Sequence, residues 1–169
     1  MTFSIIARCH KTGQFGGAIS SSSPAVAARC IQARAGVGVA TSQNITDPHL
    51  ANILLDMIKY DLAPEESIVE LVKNTEFIEY RQLSVINSDE KPAAFSGKNT
   101  LGVYSQCIGE HAVGAGNLLA NETIPKVMVD VFHQAEGSLA ERLLSALQAG
   151  LAAGGEAGPV HSAGLLVVD

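Results

Sequence analysis

The first twenty residues, MTFSIIARCHKTGQFGGAIS (1–20), determine how the rest of the chain is interpreted. Thr2–Cys9 is a mainly apolar run, and His10–Gln14 contains the turn pair Thr12-Gly13. Phe15–Ser20 then returns as a second apolar run. Two such runs around a glycine-containing turn predict a β-hairpin over residues 2–20, in which Thr2 opens the first strand.

Beyond the hairpin, the chain alternates groups of strands with pairs of helices. Ser20–Pro24 predicts a loop, and Ala35–Thr41 a short buried strand whose two glycines indicate close backbone approach. Further strands are predicted at 82–87, 93–96, 104–108, 112–116 and 163–168. Helices are predicted over 48–59 (capped by Asp47), 64–73, 122–136 (capped by Asn121) and 139–152 (capped by Ser138, with Glu141 completing a capping box).

This order of elements selects a fold class. It reads strands, two helices, strands, two helices and a last strand, which does not fit the strict alternation of a parallel sheet. We therefore predict an α+β fold, a four-layer αββα sandwich. Two mainly antiparallel sheets lie between two helix pairs, in a single domain spanning residues 1–169.

Composition limits the classes of function. The chain has 169 residues, 47% hydrophobic and 17% charged, which suits one globular core. A net charge of −6 without a basic run argues against nucleic-acid binding. No stretch approaches the roughly 18 apolar residues of a membrane span, and the N-terminus does not resemble a signal peptide. Three cysteines without a close pair favour reduced thiols, so we expect a cytoplasmic protein.

Thr2 is the leading candidate for chemistry. Initiator methionine is commonly removed before a small residue, which would leave Thr2 as the N-terminus. An N-terminal threonine combines a hydroxyl nucleophile with a general base, its own α-amine. The ordinary pKa of that amine is about 7.7–8.0, so part of it is neutral at physiological pH. Many unrelated chains also begin Met-Thr, so the dipeptide alone does not assign a role.

Several segments together resemble the family known as domain of unknown function 1028, whose fold is that of N-terminal-nucleophile (Ntn) hydrolases. The resemblance spans nearly the whole chain and implies the αββα sandwich. It also implies an amidohydrolase that cleaves a C–N bond of a small molecule with Thr2, without a cofactor. The matching segments are MTFSIIAR (1–8), TG (12–13), ARAGVGVATSQ (33–43), QLSVIN (82–87), AAFSG (93–97), GNLLA (116–120), LAERLLSALQAGLAAGG (139–155) and SAGLLVV (162–168).

The resemblance implies further catalytic residues. Arg34 stands where related enzymes often place a lysine beside the nucleophile, and it would lower the pKa of the amine or clamp a substrate carboxylate. An ordinary ion pair explains Arg34 equally well. Gly116 and Asn117 would donate to the oxyanion of a tetrahedral intermediate, although the pair also suits a plain turn.

Substrate contacts are predicted at the ends of two strands. Ser20 is a candidate for hydrogen bonding to the nucleophile, with a simple loop hydroxyl as the favoured alternative. Four polar residues end the third predicted strand and are candidates for lining the cleft: Thr41, Ser42, Gln43 and Asn44.

Other classes of function have weaker support. The five histidines are scattered, with no HExxH or CxxC pattern, so we predict no metal site. Two Gly-x-Gly pairs lack the rest of a nucleotide-binding loop. The main alternative is a non-catalytic binding or assembly module that keeps the sandwich, and we expect a homo-oligomer in either case. A polar, open pocket around Thr2 would favour the enzyme, and a filled apolar one the module.

Overall fold

A computed structural model describes residues 1–89 and 91–169. Its elements follow the predicted order of strands and helix pairs. They are β1 (Thr2–Arg8), β2 (Phe15–Ser21), α1 (Val26–Cys30), β3 (Ile31–Arg34), β4 (Gly38–Asn44), α2 (Pro48–Lys59), α3 (Pro64–Asn74), a 3-10 turn (Ile78–Tyr80), β5 (Arg81–Ile86), β6 (Ala93–Ser96), β7 (Ser105–Ile108), β8 (Ala112–Asn117), α4 (Ile124–Gln134), α5 (Leu139–Ala152) and β9 (Ser162–Val168).

The strands form two antiparallel sheets. The first sheet has the order β7-β8-β1-β2-β9, and the second has the order β3-β4-β5-β6. In the first sheet β1 is central, and Thr2 pairs with Asn117 on one side and with Ser21 on the other. The predicted α+β sandwich is therefore confirmed.

Three apolar clusters hold the four layers together. One joins the first sheet to α4 and α5 through residues such as Phe3, Met128 and Leu143. A second joins the other sheet to α2 and α3 around Leu54 and Leu83. The third lies between the sheets: Ile6, Phe15, Ile19, Val26, Cys30, Ile31, Val39, Ile86 and Val113. No helix in the described parts of the chain has the length and apolarity needed to cross a membrane.

Local capping explains why the helices begin where they do. The Glu141 amide donates to Ser138 Oγ at 3.3 Å, and the Ser138 amide donates back to Glu141 Oε2 at 2.8 Å. Asp47 Oδ1 accepts from the His49 amide at 3.0 Å. Each side chain satisfies a backbone N–H that has no partner within the helix. Asn121 accepts from the Thr123 amide at 3.0 Å and so caps the turn that leads into α4.

The region between β2 and α2 differs from the prediction. Instead of a loop and one strand over 35–41, it contains α1, β3 and β4, with a hairpin turn at residues 35–37. Gly36 adopts a φ of 66° in this turn. A Cβ at Gly38 would overlap the carbonyl oxygen of Ile86, so the predicted close backbone approach occurs at Gly38. The alternating Gly-Val pattern of residues 36–39 indicates a continuous strand, although the structure has a turn at residues 35–37.

Candidate active site at the start of the first strand

Thr2 begins the central strand and faces the layer between the two sheets. Side chains alternate along a strand, so Thr2 and Ser4 lie on the same face as Ile6, which packs between the sheets. Phe3 and Ile5 face α4 and α5 on the other side. Only 6% of the Thr2 surface is exposed. The fold thus places a hydroxyl at one end of a buried layer.

The nearest side-chain partner of Thr2 is Ser21. Their hydroxyl oxygens lie 3.1 Å apart. Both hydroxyls donate to the carbonyl oxygen of Met1, from Thr2 at 2.6 Å and from Ser21 at 2.5 Å. A single backbone acceptor therefore holds the two hydroxyls together.

The prediction of Ser20 as this partner is wrong by one residue. Ser20 pairs with Phe3 rather than with Thr2, and its side chain lies on the face turned toward the helices. A shift of one residue along a strand moves a side chain to the opposite face. The predicted strand ended one residue early, which placed the wrong serine opposite Thr2.

A buried polar network continues from the Thr2 end into the space between the sheets. Ser4 Oγ donates to Gln43 Oε1 at 2.8 Å, and Gln43 Nε2 donates to Gln82 Oε1 at 2.8 Å. Asn117 Nδ2 donates to the same Gln82 oxygen at 3.3 Å, and Gln82 Nε2 donates to the Gly116 carbonyl at 3.1 Å. The network links four strands across both sheets and fixes their polar side chains.

The polar residues at the end of β4 divide according to the face they occupy. Thr41 and Gln43 face the other sheet, because they alternate with Ala40, which packs under the helices. Ser42 shares the face of Ala40, so the structure does not place it in the cleft. Its hydroxyl is fully buried and makes no hydrogen bond within residues 1–89 and 91–169.

Asn44 holds two loops together instead of lining the cleft. Its Nδ2 donates to the Tyr80 carbonyl at 2.6 Å, and its Oδ1 accepts from the Leu101 amide at 3.2 Å. Its φ of 76° lies in the left-handed region, which asparagine tolerates better than most residues. These contacts give Asn44 a structural role at this end of the sheet.

Gly116 and Asn117 occupy different environments. Asn117 pairs with Thr2 in the β1–β8 register, so the structure brings it to the nucleophile. Gly116 lies between Phe3 and Ser105 of the flanking strands, so its amide belongs to the sheet ladder. A Cβ there would lie 2.5 Å from Leu119 Cδ2, so packing explains the glycine.

Arg34 points away from the candidate site. Its Nη1 donates to Asp56 Oδ1 at 2.5 Å, and its Nη2 donates to the Asn52 carbonyl at 3.3 Å. Both partners belong to α2, on the outside of the second sheet. The structure therefore contradicts the predicted contact between Arg34 and Thr2. Arg34 instead forms an ion pair with Asp56 on the surface of α2.

The sheet register shows how far Arg34 lies from Thr2. The turn that follows Arg34 donates from Gly36 to the Asp169 carbonyl, next to the end of β9. That end of β9 pairs with Phe15, which pairs with Arg8 at the far end of β1. At about 3.3 Å per residue, the seven-residue strand separates the two ends by roughly 20 Å.

Glu156 is a site residue that the sequence analysis missed. It is 5% exposed, and within the described part of the chain neither carboxylate oxygen has a partner in good hydrogen-bond geometry. Its segment pairs with the residues after β8, through a bridge to Leu119. Burial raises the pKa of the Glu156 carboxyl, and this outweighs the lowering by the Ser22 amide, the N-terminal ammonium and His161. A buried carboxylate therefore lies beside the start of the chain.

Met1 closes the site in this form of the chain. The Met1 carbonyl accepts hydrogen bonds from the hydroxyls of Thr2 and Ser21. The Met1 side chain packs against Gly158, where an added Cβ would lie 2.7 Å from Met1 Cε. The nitrogen of Thr2 is part of the peptide bond to Met1 and is not a base. The surroundings of Thr2 are polar and closed, a combination that matches neither of the two alternatives expected from sequence.

Comparison with known proteins identifies the family. The model of the "Family of unknown function (DUF1028)" matches residues 2–169. The chain belongs to DUF1028. This DUF1028 chain matches no curated protein.

Solved structures agree with the family assignment. The DUF1028 chain is similar to the crystal structure of protein SPO2555 from Silicibacter pomeroyi, itself a DUF1028 protein, with a TM-score of 0.93 and 26% identity. That match covers 99% of this chain and 73% of the other. It is also similar to Thiobacillus denitrificans BPH in complex with epoxomicin, with a TM-score of 0.51 and 12% identity over 99% and 98% of the two chains. BPH has an Ntn-hydrolase-like structure, and the likeness at this identity concerns the fold alone.

Proposed function

We propose that this DUF1028 chain, after removal of Met1, is an Ntn-type amidohydrolase that cleaves a C–N bond of a small molecule. The observation that carries the proposal is the position of Thr2. It opens the central strand with its hydroxyl 3.1 Å from that of Ser21, at the polar end of the layer between the sheets. The Ntn-hydrolase-like fold of the structural neighbour supports the same reaction class.

Removal of Met1 changes three features at once. It converts the Thr2 nitrogen into a free amine. It releases the hydroxyls of Thr2 and Ser21 from the carbonyl that now accepts from both. It also empties the space beside Gly158 that the Met1 side chain fills. The vacated space is where we place the substrate.

The reaction then follows from the groups present. The neutral Thr2 amine takes the proton of Thr2 Oγ1, directly or through a water, while Oγ1 attacks the amide carbonyl. The same proton passes to the departing nitrogen as the C–N bond breaks, which leaves an ester on Thr2. Water, deprotonated by the amine, hydrolyses the ester and restores the hydroxyl.

Neighbouring residues support these steps in the proposal. The side-chain amide of Asn117 donates to the oxyanion, because Asn117 pairs with Thr2 and Gln82 fixes its orientation. Gly116 contributes indirectly, since its carbonyl accepts from Gln82. Glu156 keeps a cationic neighbour when the Thr2 amine replaces the Met1 ammonium, whose charge already acts on this carboxylate. Its charge then favours the protonated amine and sets the pH above which the base is available.

A non-catalytic module is the second candidate, and one observation favours it. With Met1 in place, Thr2 is 6% exposed and its hydroxyl is already bonded. A chain that retains Met1 throughout its life would keep the sandwich as a scaffold for binding or assembly.

Covalent labelling distinguishes the two candidates. Met-free protein is incubated with epoxomicin and with a small β-lactone, and intact mass and peptide mapping then locate any adduct. We expect one adduct on Thr2. Thr2→Ala and a chain lengthened by two residues before Thr2 should remain unlabelled, while Thr12→Ala, at an exposed threonine elsewhere, should label normally. Labelling that persists in Thr2→Ala, or Met-free protein that reacts with neither reagent, would refute the hydrolase.

A further inference from the structure

Two adjoining cavities lie at the end of β1 opposite Thr2. Their volumes are about 510 and 240 Å³, and they share His10, His133 and Arg142 in their walls. The walls come from the turn that follows β1 and the turn that precedes β8, which lie at the same end of this antiparallel pair, and from the junction of α4 and α5. The combined space is in the size range of small-molecule sites, about 300–1,000 Å³.

The walls of these cavities carry a positive formal charge of +1, from three lysines and arginines against two glutamates with the histidines neutral. They carry three of the eleven lysines and arginines and three of the five histidines, in a chain of net charge −6. Two acidic residues, Glu110 and Glu136, also line the walls, and the Glu110 side chain is 82% exposed. Positive groups gathered in a concave surface attract anions more strongly than the same groups spread over a flat one. The six basic residues are Arg8, His10, Lys11, His111, His133 and Arg142.

Arg142 is held in place before any ligand arrives. Its Nε and Nη2 donate to the Phe132 carbonyl at 3.3 and 3.1 Å, and its guanidinium carbon lies 4.1 Å from the centre of the Phe132 ring. These contacts leave donors on the other side of the guanidinium. An arginine fixed in this way loses little side-chain entropy on binding an oxyanion.

Arg8 has a donor without an acceptor. Its Nε is buried and makes no hydrogen bond to any of the residues that the structure describes, and its side chain lines the smaller cavity. Leaving a buried donor unpaired costs free energy, and a rotation of the Arg8 side chain toward an anion in the cavity would supply the missing acceptor. Nearby, burial raises the pKa of the Cys9 thiol, but hydrogen bonds from Thr12 and Lys11 and the charge of Arg142 lower it further than burial raises it.

We propose that the two cavities bind an oxyanion, a phosphate or carboxylate group carried by a small molecule. Arg8 supplies the buried donor, and Arg142 supplies the fixed one. Lys11 and the three histidines surround the charge. The site is separate from Thr2 and does not depend on the proposed hydrolase, because the two lie at opposite ends of β1.

Calorimetric titration of the full chain tests this site with two probes, inorganic phosphate and citrate. We expect binding of at least one probe, weakened about tenfold in Arg8→Gln, the loss that one charge-assisted hydrogen bond predicts. Arg29→Gln is the matched control, since its Nε already donates to the Pro24 carbonyl outside the cavities. Its affinity should stay within about twofold of the parent chain.

The outcomes separate the sources of the anion and can overturn the site. Binding of phosphate alone assigns a phosphate group, and binding of citrate alone assigns a carboxylate. Circular dichroism checks the folding of Arg8→Gln, and Lys11→Gln with His10→Gln replaces it if it unfolds. The site is refuted if neither probe binds, or if Arg29→Gln weakens binding as much as the cavity variants.

Discussion

The layer between the two sheets has a different character at each end of β1. Around Ile6 it contains apolar side chains such as Phe15, Val39 and Ile86, each at most 2% exposed. Around Thr2 it contains hydroxyls and amides that are equally buried but hydrogen-bonded to one another. The same pair of sheets therefore encloses a dry apolar region and a polar one.

The difference shows which end stabilises the fold. Apolar burial contributes about 25 cal/mol per Å², whereas a hydrogen bond exchanged with water contributes about 0.5–1.5 kcal/mol net. Burying amides and hydroxyls thus gains less than burying Ile or Phe of similar size. The apolar end stabilises the sandwich, and the polar end is where a chemical role would justify the weaker stabilisation.

The largest stability effect is expected at the apolar end, in Phe15→Ala. Phe15 is 2% exposed between the sheets, so truncation leaves a cavity that the surrounding strands cannot fill. We expect the free energy of unfolding to fall by about 3–5 kcal/mol, measured by urea denaturation. Phe77→Ala, at a side chain 72% exposed, should change it by less than about 0.5 kcal/mol. If Phe15→Ala lowered the free energy of unfolding by less than about 1 kcal/mol, the claim that the apolar end stabilises the fold would be contradicted.

Gln82→Leu removes the centre of the polar network. It leaves Gln43 and Asn117 without their shared acceptor, at an expected cost of about 1–3 kcal/mol in urea denaturation. Labelling of Thr2 in Met-free protein should also slow, because Asn117 loses its orientation. Gln148→Leu, on an exposed part of α5, serves as the control. If Gln82→Leu labelled at the parent rate, the network would have no part in the site.

Glu156→Gln should change how stability depends on pH. Burial raises the pKa of this carboxyl in the folded chain, so the folded state binds the proton more tightly than the unfolded state. The stabilising contribution is present at low pH and is lost as the pH rises from about 4.5 through the raised pKa. The variant, which carries no ionisable group there, should melt at a higher temperature than the parent at pH 7 and lose less stability across that window.

The control for this measurement is Glu110→Gln, whose side chain is 82% exposed. Its melting temperature should follow that of the parent chain at every pH. Should Glu156→Gln instead melt at a lower temperature at pH 7, the attraction of the Ser22 amide, the N-terminal ammonium and His161 would outweigh the cost of burial, which contradicts the raised pKa.

The smallest effect is expected for Thr41→Val. The Thr41 hydroxyl is buried between the sheets and has no hydrogen-bond partner among the described residues, so exchanging it for a methyl removes an unsatisfied group at nearly constant volume. We expect a change in unfolding free energy within about 1 kcal/mol, in either direction. Ser4→Ala, which removes a hydroxyl bonded to Gln43, provides the comparison and should cost more. If Thr41→Val and Ser4→Ala lowered the free energy of unfolding equally, the hydrogen bonds near Thr2 would make no contribution to stability.

Much of the fold could be predicted because its signals are local. The two apolar runs and the glycine-containing turn of residues 2–20, and the capping residues Asp47 and Ser138, depend on neighbours a few positions away, and the structure places them as predicted. The missed strand β3 and helix α1 lie in a stretch where Ala-, Gly- and Val-rich residues suit several conformations. Pairing with β4 decides among them, and pairing is not local.

The site was harder to predict for the same reason. Alternation from Thr2 would have indicated Ser4 as a neighbour on the same face, and one more strand residue would have indicated Ser21. The partner of Arg34 is Asp56, which only the packing of α2 on the second sheet reveals. Glu156 follows two glycines in a loop and carries no pattern that links it to residue 1. Its place depends on the bridge to Leu119.

The contact between the Met1 carbonyl and both hydroxyls has a practical consequence. Any affinity tag fused ahead of Thr2 supplies the same carbonyl in the same position, so tagged material would give false negatives in a screen for turnover. A tag placed after Asp169, which is exposed, leaves the other terminus open to processing. Recombinant preparations should therefore be compared by the fraction of chains that start at threonine.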